Sequence, residues 1–473
     1  MKLIFKGIVQ GVGFRPTIYR IAQQLDYKGY VLNKGSEVEV VIDKDPQPFI
    51  KQVKKQLPPL ARITDIVLEE DHRSFDDFTI LHSTEGKHQS LIPADTAICS
   101  DCLAELFDPT NRRYHFPFTN CTVCGARFSL IKAVPYDRER TAMQPFPLCT
   151  HCQKEYTTPS DRRYHAQTIS CPTCGPTYTL YDSKRHPVKT KEPIKHFAER
   201  LDQGLIGVIK SWGGMHLCCT LDQISRFRKW YKRPQKSFAV MVPDLNAAKK
   251  YGTLTSKDEA LLQSNKRPIV LVKKTQAEEV SPGLDTIGLF LPYTGLHHVL
   301  FSLLRHDALL MTSANIPGEP MMIRNEEVFS LNADCYLLHN REIPNRIDDT
   351  VVKPWKDHVF FLRKSRGYVP DPLPVSYNDR ILSVGAGENV YGAVSSDGQL
   401  YATQYIGNSQ YYSTIGFLEK SLRHLMELTM DTPGIDAVAA DLHPRYETKH
   451  LARQFSQEFS VPLYEIQHHW AHA

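Results

Sequence analysis

Eight of the eleven cysteines stand in two copies of one frame: Cys-x2-Cys, eighteen residues, Cys-x2-Cys, set fifty residues apart. Cys99, Cys102, Cys121 and Cys124 make the first copy, and Cys149, Cys152, Cys171 and Cys174 the second. A thiolate pair two residues apart can grip one ion across a tight turn. Two such pairs complete the tetrahedral sulfur shell of a structural zinc. One repeat per ion is the simplest pairing, and an interleaved pairing uses the same spacing. The flanks repeat too, as Asn111-Arg112-Arg113-Tyr114-His115 and Asp161-Arg162-Arg163-Tyr164-His165. Basic loops beside zinc ribbons suit a nucleic-acid backbone, or they brace one module against its neighbour. A net charge of only +5 over 473 residues favours the brace. Cys218, Cys219 and Cys335 lack partner spacing and read as core residues. Oxidation would destroy such sites, so a reducing, cytoplasmic setting is expected rather than a secreted disulfide scaffold.

A second chemical feature is Gln10-Gly11-Val12-Gly13-Phe14-Arg15, between an alternating strand and an apolar-periodic stretch opened by Pro16. A Gly-rich turn entering a helix aims backbone N–H groups at one point, which suits an anion. Arg15 adds a guanidinium, and Asn33 could orient a water.

Polar clusters mark a third region. They are Lys229 to Lys236, Thr312 to Pro320 directly after a strand, Arg346 to Thr350, and Arg363 to Pro370. Strand-end Ser and Asn beside separate Arg and Lys residues suit a triphosphate held by side chains. No G-x4-G-K-[ST] occurs, which disfavours a P-loop nucleotidase. The chain finishes on Gln467-His468-His469-Trp470-Ala471-His472-Ala473. His468 and His472 are four apart, which places both imidazoles on one helix face at metal-ligand spacing.

The elements that must carry these residues read as a multidomain mixture of α/β and α+β units. The length suggests three or four domains, of ordinary globular composition. No apolar run reaches about 18 residues, so no membrane helix is expected, and Met1-Lys2 leads straight into a strand without a signal peptide. Residues 1–90 read as β-α-β-β-α-β, a ferredoxin-like sandwich with a hairpin at Asn33-Lys34-Gly35. Residues 91–185 are rich in Cys, Pro, Arg and aromatics. That segment is expected to bury little core and to draw folding free energy from its metals. Residues 190–375 alternate helices and strands, and residues 380–473 open another α/β pattern.

Three resemblances follow from these motifs. Gly11-Val12-Gly13-Phe14-Arg15 with a strand-end Asn33 resembles the acylphosphatase signature. That implies a catalytic pair, with Arg15 binding the phosphoryl group and Asn33 positioning water. Leu291-Pro292-Tyr293-Thr294, Thr312 to Pro320, Arg346-Ile347-Asp348-Asp349 and Arg363 to Pro370 resemble the YrdC-like domain of the hydrogenase-maturation carbamoyltransferases, the HypF family. Acylphosphatase, double zinc finger and YrdC-like domain occur in that order there. Asp441-Leu442-His443-Pro444 and the His-rich end resemble the family's Kae-like domain, an actin-like fold whose His-x3-His binds a catalytic metal. His468 and His472 match it. Some positions depart from the pattern. Tyr231 stands where lysine is usual before Arg233-Pro234, with Lys232 or Lys229 as substitute. Ser237 and Gly295 replace prolines, and Gly387-Glu388-Asn389 replaces Glu-Leu-Lys. The chain stops short of the family's end, so a C-terminally truncated form with an incomplete Kae-like domain is expected.

The resemblance implies a chemistry. Carbamoyl phosphate is hydrolysed, and the carbamate passes by an enclosed route to attack ATP, with Mg²⁺, giving carbamoyl adenylate. Lys232, Arg233, Lys236, Arg346 and Arg366 would stabilise phosphate charge, and Ser313 and Asn315 would hold phosphates or the carbamoyl oxygen. The carbamoyl group is destined for the C-terminal cysteine of a HypE-type acceptor, to become the cyanide ligand of [NiFe]-hydrogenase. Two structural zincs complete the cofactors; membrane and nucleic acid are not expected partners. A tRNA threonylcarbamoyl-adenylate synthase and a non-enzymatic zinc-ribbon adaptor are the alternatives, and the Arg15–Asn33 loop argues against both.

Overall fold

Three sheets organise the chain in a computed structural model that describes residues 1–34, 37–84, 93–430 and 434–473. Gly35 of the expected hairpin turn and Leu91 at the expected start of the zinc segment lie outside the described residues.

The first sheet has strand order Arg62–Glu69, Lys2–Ile8, Glu37–Ile42, Gly29–Lys34 and Phe78–Ile80. Alternation along Lys2–Ile8 buries Leu3, Phe5 and Ile8 under the helices Phe14–Gln24 and Pro46–Lys55. This is the ferredoxin-like sandwich, with a fifth strand added in parallel to Gly29–Lys34. Asp45 caps the second helix through Gln47 N–H. The first helix begins two residues earlier than its sequence suggests. Gly13, at φ 77°, takes the left-handed turn that precedes it, so Pro16 sits inside the first turn rather than opening it.

The largest sheet runs from the edge hairpin Val351–Trp355/His358–Arg363 to the opposite edge strand Tyr178–Asp182. That last strand follows the final zinc-frame cysteine and pairs with Cys335–His339. Central strands such as Met215–Thr220 are buried along their whole length, as expected where layers cover both faces. Cys218, Cys219 and Cys335 are buried there, as core thiols. The third sheet holds Ile381–Ser383 between Ala393–Ser396 and Ala437–Asp441. The helices Tyr412–Thr429 and Thr448–Phe459 pack with it in one core.

The zinc segment departs from expectation. It is not poor in core; its core is shared. Leu106, Leu130 and Met143 pack in one cluster with Phe197, Leu296 and Leu337 of the large sheet's unit. Phe128, Ile131, Val134 and Tyr136 pack with Leu382, Leu422 and Phe455 of the third unit. Short apolar pieces that cannot enclose a core alone bury themselves in their neighbours' cores. Only the second repeat keeps a small cluster of its own, around Cys152, Ala166, Ile169 and Cys171. Among the described residues no helix is long and apolar enough to cross a membrane.

Candidate functional sites

In each zinc module the first Cys-x2-Cys opens a short helix, Ser100–Phe107 or Thr150–Thr157, and the second forms a knuckle. Within the first quartet, Cys99–Cys121 and Cys121–Cys124 sulfurs lie 3.7 Å apart and Cys102–Cys124 sulfurs 3.6 Å. The second quartet gives 3.7, 3.8 and 3.6 Å for the equivalent pairs. Four sulfurs at about 2.3 Å from a tetrahedral zinc are about 3.8 Å from one another. The donors therefore fit two zinc ions, one per repeat, and the interleaved pairing is excluded. These are the groups of three or more metal-binding side chains found among the described residues.

The duplicated arginines cross over. Arg112 and Arg113 of the first repeat reach Glu155 and the Cys152 sulfur of the second. Arg162 and Arg163 of the second reach Glu105 and the Cys102 sulfur of the first. Arg113 Nε also donates to Ser170 O and Arg163 Nε to Asn120 O, both at 2.9 Å. A Zn(Cys)4 centre would carry a formal charge of −2, and the two guanidiniums from the opposite module, which each also pair with Glu155 or Glu105, offset part of it. Burial and these contacts leave Arg113 and Arg163 1% and 3% exposed, out of reach of any nucleic acid.

The Gly-rich loop meets the zinc segment directly. Gly11, at φ 66°, and Gly13 both take the left-handed conformation that turns successive amides toward one point. A Cβ on Gly13 would meet Thr122 at 3.1 Å, and one on Gly11 the Tyr136 ring at 3.0 Å. Arg127 Nε donates to Gly11 O at 2.7 Å. Arg15 is 8% exposed and donates to Ser83 Oγ at 3.2 Å and Asp137 Oδ1 at 3.4 Å. Asn33 is 1% exposed, and among the described residues neither atom of its amide has a hydrogen-bond partner. A buried amide left unpaired costs free energy, so such a group marks a site kept for a ligand or a water. A void of about 30 Å³ against the loop shares Arg15, His165 and Gln167 with a cavity of about 510 Å³. His165, at φ 54°, is pushed down to about 4 by burial and then by the Arg15 charge, so its imidazole is neutral near pH 7. The zinc-segment residues Asp137, His165 and Gln167 were not legible as site residues. The only sequence signal was that His165 belongs to the duplicated Arg-Arg-Tyr-His piece.

The large sheet carries the third site. A cavity of about 310 Å³ gathers Lys236, Ser313, Thr312, His216, Asp348 and Arg363. Burial, followed by the charges of Arg233 and Arg363, pushes the Lys236 amine down to about 8. Its Nζ lies 3.4 Å from Thr312 Oγ1. Ser313 ends the strand Leu309–Ser313 and donates to Asn315 Oδ1 at 3.0 Å. The Asn315 amide donates to Ile316 O and Glu319 O, so it shapes the loop. Tyr231, in the place of a usual lysine, donates to Asn315 O at 3.0 Å and is buried.

The remaining sequence-predicted residues lie elsewhere. Arg366 is 1% exposed, bonded to Asp349 Oδ1 at 2.7 Å and to the carbonyls of Lys266 and Arg267, with its guanidinium 3.5 Å from the Tyr293 ring. It braces the wall of the site rather than lining the cavity. Asp349 also meets His216 Nε2 at 2.9 Å. Arg346 lines a separate cavity of about 220 Å³ with Gln404 and Lys420, its guanidinium over the Phe417 ring. Lys232 is an exposed helix cap at φ 54°. Gly295 lets the backbone of Pro117 approach, since a Cβ would stand 2.8 Å from Pro117 O. His216 is the cavity residue that no motif pointed to, since it sits in an apolar strand, while Thr312, Asp348 and Arg363 were read only as parts of clusters.

At the C-terminal end, His468 Nδ1 lies 2.6 Å from Asp441 Oδ2, and the His468 and His472 rings are 4.8 Å apart. The carboxylate fixes one nitrogen of His468, a carboxylate–histidine pairing familiar behind metals. Among the described residues no third donor closes on these two rings as the cysteines do, so the donor set present does not by itself complete a metal site.

A Gly-rich loop on a ferredoxin-like sandwich, two closed zinc modules, a large mixed sheet and a third α/β unit define a modular, multidomain protein. Residues 1–80 match the acylphosphatase family, 98–131 and 148–181 the HypF finger, 199–365 the Sua5/YciO/YrdC family described as telomere recombination, and 376–473 the HypF Kae1-like domain. The chain is 45% identical over 494 aligned residues to a probable carbamoyltransferase HypF of Methanocaldococcus jannaschii, covering 100% of this chain and 64% of that protein. It is 39% identical to carbamoyltransferase HypF2 of Cupriavidus necator, covering 100% and 63%. The crystal structure of T. kodakarensis HypF superposes at TM-score 0.93 with 40% identity, covering 100% of this chain and 62% of that one. A full-length HypF in a phosphate- and nucleotide-bound form gives 0.93 with 36% identity, covering 100% and 63%. The chain belongs to the HypF family, and it spans under two thirds of the length of these relatives.

Proposed function

We propose that this chain carries out the first two steps of carbamoyl transfer for hydrogenase maturation. Carbamoyl phosphate binds with its phosphoryl group against the loop amides and Arg15. A water held by Asn33 attacks phosphorus, the bond from phosphorus to the carbamate oxygen breaks, and carbamate leaves with the electron pair. In the cavity around Lys236 a carbamate oxygen attacks the α-phosphorus of ATP. The bond to the β-phosphate breaks, giving carbamoyl adenylate and pyrophosphate. Lys236, Arg233 and Arg363 meet the charge on the transferring phosphates, and Ser313 lies at the strand end to bond a phosphate or carbamoyl oxygen. Arg366 acts through Asp349 and His216 as a brace. Mg²⁺ accompanies the ATP and neutralises phosphate charge. His468 and His472 would supply two of the ligands of a metal in the Kae1-like unit, with Asp441 orienting His468. The acceptor for the carbamoyl group is a HypE-type protein, and the thiolate zinc sites suit the reducing cytoplasm.

The observation that carries this reading is the Asn33 amide, buried and unpaired among the described residues near the end of the strand Gly29–Lys34, in the same sheet unit as Arg15 and its Gly-rich loop. The test is ATP–pyrophosphate exchange by the zinc-loaded chain. Exchange should require carbamoyl phosphate, and Arg15→Ala, which cuts off the carbamate supply, should abolish it. Exchange driven instead by threonine plus bicarbonate would favour threonylcarbamoyl-adenylate synthesis. No exchange under either condition would leave a zinc-ribbon adaptor.

A further inference from the structure

The carboxylate facing Arg15 comes from the zinc segment, not from the sheet that carries the loop. Asp137 Oδ1 lies 3.4 Å from Arg15 Nη2, with side-chain exposures of 31% and 9%. Gln167 Nε2 donates to the same oxygen at 3.4 Å. Gln167 is itself fixed, because its Oε1 accepts Tyr156 O–H at 2.9 Å and Arg138 N–H at 3.0 Å. The second zinc module therefore holds Asp137 on the rim where Arg15 opens into the cavity of about 510 Å³. The other guanidiniums on that rim are committed to backbone: Arg138 to the carbonyls of Gln167, Ile169 and Phe146, and Arg140 to Val134 O. Beyond Asp137, Arg15 has only the Ser83 hydroxyl as a side-chain partner among the described residues.

A phosphate dianion that engages the Arg15 Nη2 donor competes with Asp137 for it, and it then stands beside a like charge. Like charges at one site disfavour each other's presence. The bare loop and Arg15 would bind any phosphate alike, product as well as substrate. An opposing carboxylate keeps the guanidinium oriented when the site is empty and weakens phosphate binding when it is full.

We propose that Asp137 is a positioning residue that occupies Arg15 between turnovers and drives inorganic phosphate off the loop. The proposal rests on the reading of the Arg15 loop as the acyl-phosphate site. Its test is calorimetric titration of the full zinc-loaded chain with inorganic phosphate, together with steady-state hydrolysis of carbamoyl phosphate. Asp137→Asn keeps the shape and the Gln167 contact but removes the charge. It should bind phosphate about ten-fold more tightly and lower KM without raising kcat. Asp137→Glu restores the charge and should return phosphate affinity toward that of the unsubstituted protein. A general loss of fold would move both variants alike and release zinc, which metal content reads directly. If Arg15→Ala binds phosphate as well as the unsubstituted chain, the acyl-phosphate reading itself fails. If Arg15→Ala loses phosphate while Asp137→Asn leaves affinity unchanged or weaker, that reading stands and the role given to Asp137 is wrong.

Discussion

The crossed arginines make a prediction that runs against sequence position. Arg162 belongs to the second repeat, yet its Nη1 lies 3.2 Å from the Cys102 sulfur of the first. Replacing it with methionine keeps the stem and deletes the charged donor. A hydrogen bond to a charged group contributes about 1.5–3 kcal/mol net. The Arg162 side chain is 29% exposed, which places the loss near the lower bound. About 1.4 kcal/mol is ten-fold in affinity, and outer-shell changes at metal sites cost about 10–100-fold. Arg162→Met should therefore weaken zinc about ten-fold at Cys99, Cys102, Cys121 and Cys124, and leave Cys149 to Cys174 near their normal affinity. Arg112→Met should do the reverse, through its contact with Cys152 at 3.3 Å. The assay is competition with a chromophoric chelator, followed by alkylation of released thiols and peptide mass mapping. Arg162→Met releasing zinc from its own repeat first, or from both repeats equally, would refute the reasoning.

Three further outcomes follow from the sites. Asn33→Ala should lower carbamoyl-phosphate hydrolysis by on the order of 10²–10³, while unfolding stability holds or rises by up to about 1 kcal/mol, because an unpaired buried amide is removed; stopped assays and urea titration check both halves. The Lys236 amine titrates about 8 in the free protein, below its usual range, so its charge is present below that pH and lost above it. Nucleotide binding should weaken as pH rises through 8 and should take up protons near pH 8.5, seen by calorimetry in buffers of different ionisation enthalpy and absent in Lys236→Met. Asp349→Asn leaves Arg366 buried without its carboxylate, a loss of about 3–5 kcal/mol. Asp349 is held below the usual carboxylate range by Arg366 and His216 against the opposing effect of burial, so its contribution is present above the unfolded pKa near 4 and lost as pH falls below it; chemical denaturation at pH 7 and pH 3 measures the difference.

The fold was legible wherever a local rule decides. Alternation gave Lys2–Ile8, and the cysteine spacing gave both quartets. The candidate sites were legible only in part, because sequence reports residue types and not which way they face. Arg366 and Lys236 both read as cations in a polar motif. One is buried against Asp349 and Tyr293, and the other opens into the cavity. His216 lies in an all-buried strand with no neighbouring motif, and it meets Asp349 only through a separation of 133 residues. Asp137 reaches Arg15, and His165 lines the same cavity, across the join between two units, and no single-unit pattern can contain such a pairing. The core of the zinc segment was misjudged for the same reason. Its apolar residues are too scattered to close a core of their own, and they are buried in cores that other units complete.

That sharing gives the metals a task beyond local folding. Between Arg127, which donates to Gly11 O, and Asn345, whose amide donates to Phe128 O and Ile131 O at 2.7 Å, the zinc segment touches the loop of the first sheet and the polar wall of the second. Phe128 lies against His424 of the third unit. Scattered apolar anchors can fix a segment to three partners only if the segment itself is stiff. Here the stiffness comes from two closed thiolate shells locked to each other by Arg112, Arg113, Arg162 and Arg163. Partial charge compensation of each shell by the opposite repeat means that neither module is complete alone. The duplication is therefore one rigid connector rather than two beads, and a connector of that kind can place Asp137 within reach of Arg15 while anchoring the wall behind Lys236.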